Sequence, residues 1–169
     1  MTLTEQLTLK PYRESDQPSL IGLLTDDSIR DTYMLPDFTA PADAAAMFWR
    51  LLAYSHSAEH YERGIYLGER LIGFVNDVAI NERHIEIGYV IHPAHQNRGY
   101  ATQALRAALA DLFQLGFDEV SATAFSENTA SRRVMEKCGL KQSEKSGSIP
   151  YRGVLRGCVL YSISKPEST

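Results

Sequence analysis

The sequence predicts a mixed α/β domain: one central sheet of about seven strands, with about four helices distributed over both of its faces. Three observations predict it. Runs of alternating apolar and polar residues crowd the middle and the end of the chain. Segments with 3/4 apolar spacing separate the strands that would lie parallel. The 169 residues are 44% hydrophobic and 22% charged, a globular balance with no disorder signature. No repeat, low-complexity tract or Gly/Ser/Pro-rich linker interrupts the chain, so residues 1–164 read as a single domain and 165–169 as a flexible C-terminal tail.

The elements follow in order. Leu7 and Leu9 alternate with Thr8 and Lys10 into Tyr12, a first strand. Ser15 or Asp16 offers an N-cap, Pro18 falls in the first turn, and Leu20, Leu23 and Leu24 share one helical face. A second helix starts near Thr39–Pro41, with Ala42, Ala45, Ala46, Trp49, Leu52 and Ala53 as its apolar stripe. Gly64–Ile80 reads as two strands around a turn at Gly68–Arg70, and His84–Ile91 as a third, broken by Pro93. A helix with the stripe Ala101, Ala104, Leu105, Ala108, Leu109 and Leu112 ends at Gly116. Val120, Ala122 and Ala124 alternate as a strand. Asn128 then caps a helix carrying Val134, Met135 and Cys138, which Gly139 closes. Leu140–Ser164 reads as two strands around a polar turn near Ser143–Gly147. The predicted order is β-α-α-β-β-β-α-β-α-β-β.

Composition narrows the function classes. The net charge is −4, from 17 basic and 21 acidic side chains, whereas a dedicated nucleic-acid binder is usually basic. Two cysteines, Cys138 and Cys158, without CxxC spacing suit a reducing compartment and supply neither a disulfide framework nor a structural zinc site. No HExxH or carboxylate cluster points to a metal. The N-terminus lacks the layout of a signal peptide, and no apolar run approaches the ~20 residues of a membrane span. The expected location is cytoplasmic, with no membrane or nucleic-acid partner.

The most informative stretch is Ile85–Thr102, IEIGYVIHPAHQNRGYAT. A strand runs through a Pro-containing turn and a loop into the first turn of an amphipathic helix. Backbone N–H groups from Gln96 to Ala101 would point outward together at the helix start, without intrahelical partners and in the positive end of the dipole. Such a nest binds phosphate. Gly99 permits close backbone approach, Ala101 keeps the next turn small, and Arg98 adds charge at the rim. Gln96-Asn97-Arg98-Gly99-Tyr100-Ala101 resembles the Q/R-x-x-G-x-G/A acetyl-CoA loop of the GNAT superfamily of N-acetyltransferases. It is neither a Walker loop nor a dinucleotide fingerprint.

The resemblance extends along nearly the whole chain. Asn128–Leu140, NTASRRVMEKCGL, is similar to the superfamily's N-x-x-S-x-x-(hydrophobic)-x-x-K-x-G-F helix. LTLKPYRESDQPSLIGLL and RGVLRGCVLY resemble the opening and the closing strand of the branch that includes ribosomal-protein N-terminal alanine acetyltransferases. Gly157 departs from that branch, which usually has Asp there. The resemblance implies a GNAT fold and acetyl-CoA as cosubstrate. It assigns Ile91, Gln96, Asn97, Arg98, Gly99, Tyr100, Ala101, Thr102, Asn128 and Ser131 to the cofactor. Asn128 reads equally as an ordinary N-cap, and Ser131 as a neutral first-turn residue.

Direct acetyl transfer requires an amine to lose a proton, and at neutral pH a Lys side chain (pKa ~10.4) or an α-amine (~8) is mostly protonated. A base therefore matters. Glu86 is the candidate, a carboxylate inside an otherwise apolar strand. It shares a face with His84, Gly88 and Val90, while Ile85, Ile87, Tyr89 and Ile91 take the other. The resemblance places a base at this position; a structural ion pair with Arg83 or with a neighbouring strand's cation is the competing reading. His84 is the second candidate for the base, nearer the strand's start and expected in solvent. The family's oxyanion donor, a backbone N–H, corresponds to about Ile91. Tyr161 is a second catalytic candidate, on the substrate side or in the core. Met135 stands where many members carry the Tyr that protonates the leaving thiolate. Neither cysteine has the setting of a nucleophile, which disfavours an acyl-enzyme.

The expected function is transfer of acetyl from acetyl-CoA to a primary amine in a ternary complex. Candidate acceptors are a protein N-terminus, an amino acid, a polyamine or an amine-bearing small molecule. The alternatives are a non-catalytic acyl-CoA sensor with this fold and a protein-interaction domain. A homodimer is the oligomer the resemblance allows. Tyr33, Met34, Phe38, Trp49 and Tyr54 are candidates for an aromatic acceptor pocket.

Overall fold

A computed structural model describes residues 6–167. Its strands are β1 (Leu7–Lys10), β2 (Glu62–Leu67), β3 (Arg70–Asn81), β4 (His84–Ile91), β5 (Glu119–Phe125), β6 (Lys141–Tyr151) and β7 (Val154–Ser164). Its α-helices are α1 (Gln17–Leu24), α2 (Asp27–Thr32), α3 (Pro41–Ser55), α4 (Tyr100–Gln114) and α5 (Thr129–Lys137). The strands form one sheet in the order β1-β2-β3-β4-β5-β7-β6. Most neighbours are antiparallel, and β4 and β5 run parallel. The fold class matches the expectation, with one helix more than anticipated. That helix, α2, has six residues and buries only Ile29, too few to show a helical period. Its mark in the sequence is the cap: Asp26 Oδ1 accepts the Ile29 N–H at 3.0 Å.

Contacts within the chain group it into two compact units, residues 1–76 with 89–104 and residues 77–88 with 105–169. In the first unit β1 and β2 pair antiparallel, and the tight turn into β3 uses Gly68 at φ +61°. Its core gathers Tyr12, Leu20, Leu23, Leu24, Ile29, Phe48, Tyr66, Phe74 and Val90. Two polar pairs are built into it. Tyr12 donates its hydroxyl to the buried Glu62 at 2.9 Å, and Tyr66 donates to the buried Asp16 at 2.5 Å.

The expected stripe of α3 is out of phase. Ala44, Phe48 and Ser55 face inward, while Ala42, Ala46 and Ala53 are exposed and Trp49 is 48% exposed. Alanines on several faces leave the pattern degenerate, and the side chain with most area to bury, Phe48, sets the rotation. Ser55 then accepts the Tyr12 N–H through Oγ at 3.1 Å.

In the second unit α4 buries Leu105, Ala108, Leu109 and Leu112, as its stripe implied. Gly116 (φ +108°) and Gly139 (φ +90°) end α4 and α5 in the left-handed conformation that favours glycine. The β6–β7 turn lies at Arg152–Gly153, with Tyr151 paired to Val154, and not at Ser143–Gly147. Both turn residues have positive φ, +51° and +79°, as a two-residue type I′ hairpin requires. The polar run near Ser143 falls in β6, where the register shifts between Gln142 and Ser146. At the expected tail, Lys165 N–H is still bound to the Asp118 carbonyl at 2.7 Å. Pro166 and Glu167 are exposed, and Met1–Glu5, Ser168 and Thr169 lie outside the described residues.

Candidate functional site

In the first unit, the His92 N–H bonds the Ile72 carbonyl at 2.7 Å where β4 ends. A 3₁₀ turn, Pro93–His95, follows, and His92 Nδ1 accepts the Ala94 N–H at its start. Gln96 closes this turn: its N–H goes to the Pro93 carbonyl at 3.3 Å and its side-chain Nε2 to the Ile91 carbonyl at 3.0 Å. The expectation that the Gln96 N–H points outward is therefore corrected. The residue is spent on fixing the loop's entry and on tying it to Ile91.

Beyond Gln96 the backbone alternates, with positive φ at Asn97 (+62°) and Gly99 (+81°). That alternation turns successive N–H groups toward one side, the geometry of an anion nest. Gln103 N–H to Gly99 carbonyl, 3.1 Å, is the first bond of α4. The Tyr100 and Ala101 N–H groups thus sit at the helix start, where no intrahelical acceptor exists. A Cβ added at Gly99 would meet no protein atom within 4 Å, so the backbone is open to close approach there. Asn97 and Arg98 are exposed; Tyr100 and Thr102 are half-buried. This cradle fits a pyrophosphate. Ile91 is buried, and the strand beside it is Gly73, where a Cβ would lie 2.1 Å from the Val90 carbonyl oxygen. Gly73 was overlooked in the sequence, although a glycine inside a strand is itself a sign of close backbone approach.

In the second unit, Ile85 and Ile87 are buried while His84, Glu86 and Gly88 are half-buried, as alternation implied. Burial pushes the Glu86 carboxyl above the usual glutamate range, against the smaller opposing effects of His84 and of a hydrogen bond with Thr123. Arg83 instead pairs with Asp118 at 2.9 Å, so the competing reading of an Arg83–Glu86 pair gives way to a hydroxyl partner. His84 is not in open solvent: its Nε2 lies 2.8 Å from the hydroxyl of buried Ser121. Ser121 and Thr123 were legible only as the polar positions of β5, since their role depends on the parallel register Glu86↔Ser121.

Asn128 caps α5, its Oδ1 accepting the Ser131 N–H at 3.1 Å, which leaves Nδ2 as the donor side of the amide. Ser131 is half-buried. Tyr161 is fully buried; its hydroxyl donates to Glu136 Oε1 at 3.0 Å and accepts from Arg132 Nε at 3.1 Å. Met135 is 1% exposed. A Cβ at Gly157 would come 3.1 Å from Ser126 Oγ, so the Asp usual at that place would crowd the Ser126 side chain. Burial raises the pKa of Cys138, which caps the end of α5, and Cys158 is buried. Among the described residues no group of His, Cys, Asp and Glu is arranged to hold a metal, and no helix is long and apolar enough to cross a membrane.

The five aromatic-pocket candidates all lie in the first unit. Tyr33 packs edge-on against Phe74 and donates to Asn76, and Phe38 packs on the core cluster. Tyr54 stacks on His60 at 3.8 Å, and Met34 and Trp49 are exposed.

Residues 6–141 match the family described as "Acetyltransferase (GNAT) domain". The chain is 27% identical to the uncharacterized N-acetyltransferase YoaA of Bacillus subtilis (strain 168), covering 97% of this chain and 96% of that one. In fold it is similar to RimL, a ribosomal L7/L12 alpha-N-protein acetyltransferase solved with coenzyme A (TM-score 0.82, 17% identity, 96% of each chain). It is also similar to spermidine N-acetyltransferase from Vibrio cholerae solved with CoA and spermine (TM-score 0.79, 21% identity, 94% of this chain and 95% of that one).

Proposed function

The chain belongs to the GNAT acetyltransferase family, enzymes with acetyl-CoA as cosubstrate, and on that premise we propose that residues 1–164 act as one cytoplasmic domain that acetylates a primary amine directly, in a ternary complex. The observation that carries this reading is Glu86: a half-buried carboxylate whose proton affinity is raised, on the strand that leads into the anion cradle. A base with a raised pKa accepts a proton from an ammonium group more readily than an ordinary glutamate does. Support also comes from Cys138, since a thiol with a raised pKa is a poor nucleophile for an acyl-enzyme.

In this reading the backbone from Asn97 to Thr102, with Arg98 at its rim, holds the pyrophosphate of acetyl-CoA, and Gln96 fixes the loop's entry. Asn128 and Ser131 contact its pantetheine end. Glu86 takes the amine proton, the nitrogen bonds to the acetyl carbon, and the Ile91 N–H faces the negative charge that develops on the acetyl oxygen. The carbon–sulfur bond breaks, the nitrogen gives its second proton to water as the amide forms, and the thiolate takes a proton from water, because Met135 has none to give. Tyr161, whose proton is engaged by Glu136, serves here to hold α5.

The test is an acceptor screen with labelled acetyl-CoA. It should span polyamines, amino acids, amine-bearing antibiotics and peptides beginning with Ala, Ser and Met, with released CoA thiol as the readout. Initial rates at varied concentrations of both substrates should give intersecting reciprocal plots. Parallel plots would indicate an acyl-enzyme, and acetyl-CoA binding without turnover on any amine would favour the sensor.

A further inference from the structure

The turn between β5 and α5 is held from several sides. Asn128 N–H bonds the Phe125 carbonyl and Ser126 N–H bonds the Gly157 carbonyl, each at 2.9 Å. The Ser126 carbonyl receives Arg132 Nη1 at 2.9 Å. The same guanidinium donates through Nε to the Tyr161 hydroxyl at 3.1 Å and through Nη2 to Gln142 Oε1 at 3.3 Å. Arg132 therefore spans its own helix, the turn before it, β7 and β6. Tyr161 is buried, at 0% exposure, and bound in turn to Glu136. A planar guanidinium bonded to three acceptors, two of them part-buried, cannot shift without breaking a bond.

We propose that Arg132 is a positioning residue that locks the Ser126–Asn128 turn and thereby sets where the Asn128 carboxamide presents Nδ2 to the pantetheine end of acetyl-CoA. The inference rests on the reading of Asn128 given above. Asn128 spends Oδ1 on the helix cap, so its donor direction is decided by where the turn holds its backbone. The cap alone fixes Asn128 relative to α5; Arg132 and Ser126 fix it relative to β6 and β7. Gly157 belongs to the same device, because its missing Cβ leaves room for the Ser126 side chain.

A double-mutant cycle tests this, with calorimetric acetyl-CoA affinity and separate KM and kcat values. Asn128→Ser keeps an N-cap oxygen while removing the amide. Arg132→Gln should weaken acetyl-CoA binding about three- to tenfold, with KM raised and kcat nearly unchanged. Arg132→Lys, which reaches fewer acceptors, should fall between Gln and wild type. In the Asn128→Ser background, Arg132→Gln should add less than about twofold, because a residue acting through Asn128 has nothing left to position. Wild-type affinity in a folded Arg132→Gln protein, or its full effect persisting beside Asn128→Ser, overturns the inference. If the Gln variant does not fold, Arg132→Lys and Tyr161→Phe are read in the same cycle. Asn128→Ser binding as wild type would instead sink the reading of Asn128 itself.

Discussion

Replacing Gly73 by Ala puts a methyl group where the structure has backbone. Its Cβ would lie 2.1 Å from the Val90 carbonyl oxygen, 3.1 Å from the Val90 carbonyl carbon and 3.2 Å from Ile91 Cα. None of these atoms can rotate aside. Reaching an ordinary 3.4 Å contact from 2.1 Å needs a separation of about 1.3 Å between β3 and β4. The neighbouring His92 N–H bond to the Ile72 carbonyl, at 2.7 Å, lies next to this contact and would be stretched. Overpacking of ~1–3 kcal/mol and one weakened hydrogen bond of ~1 kcal/mol give an expected loss of about 2–4 kcal/mol. The same movement displaces the Ile91 N–H by roughly 1 Å, a scale that costs ~10²-fold in rate when it misplaces a reacting group. Urea denaturation should show the lower midpoint, and single-turnover acetyl transfer at saturating acetyl-CoA the slower rate. Gly22→Ala is the control. Gly22 is exposed within α1 with nothing within 4 Å of its added Cβ, so the protein should gain ~0.5–1 kcal/mol. A Gly73→Ala protein with wild-type midpoint and rate would refute the close approach of the two strands and the role given to Ile91.

Gly99→Glu should lower acetyl-CoA affinity at least about tenfold by calorimetry; Gly99→Ala, which carries the positive-φ strain without the charge, separates the two causes, and an equal effect of both would remove the charge argument. Glu86→Gln should cost ~10²-fold or more in rate at neutral pH with acetyl-CoA affinity little changed. The wild-type rate should fall as pH drops through a value above the ordinary glutamate range, and the Gln variant should lack that limb. The stability sign follows from the same shift: the folded protein binds the Glu86 proton more tightly than the unfolded chain. Wild type is therefore at a disadvantage relative to Gln above the raised pKa, and that disadvantage vanishes below the ordinary glutamate value. Opposite trends in chemical denaturation across pH would show that burial does not dominate at Glu86. Met135→Leu, a swap of similar volume at a 1% exposed site, should cost under ~1.5 kcal/mol and leave the rate within a few-fold; a folded variant that binds acetyl-CoA and yet loses ~100-fold would place this side chain at the thioester.

Local periodicity made most of the fold legible. The α4 stripe, the alternation of β4 from His84 to Gly88 and the glycines closing α4 and α5 depend on residues a few positions apart, and each is where the pattern implied; the alternation breaks at Tyr89, half-buried, and Val90, buried. The α3 face was not legible, because an alanine-rich helix offers several equivalent stripes until a core exists for Phe48 to enter. The β6–β7 turn was missed because a polar run in an edge strand looks like a loop, whereas Arg152–Gly153 is a turn by virtue of its backbone angles.

By itself the sequence determined the order of the strands and of four of the five α-helices, the loop with its glycine and the carboxylate position in β4, since each is carried by neighbours along the chain. Only the tertiary structure decided what those groups touch. Thr123 beside Glu86, Ser121 beside His84, Gln96 turned back onto Ile91, and Arg132 and Glu136 on the Tyr161 hydroxyl are all choices among partners made by strand register and helix rotation. Several of these partners are distant in sequence, and whether a polar group is spent inside the fold or left for a ligand depends on desolvation and hydrogen-bond geometry that exist only once the chain has packed.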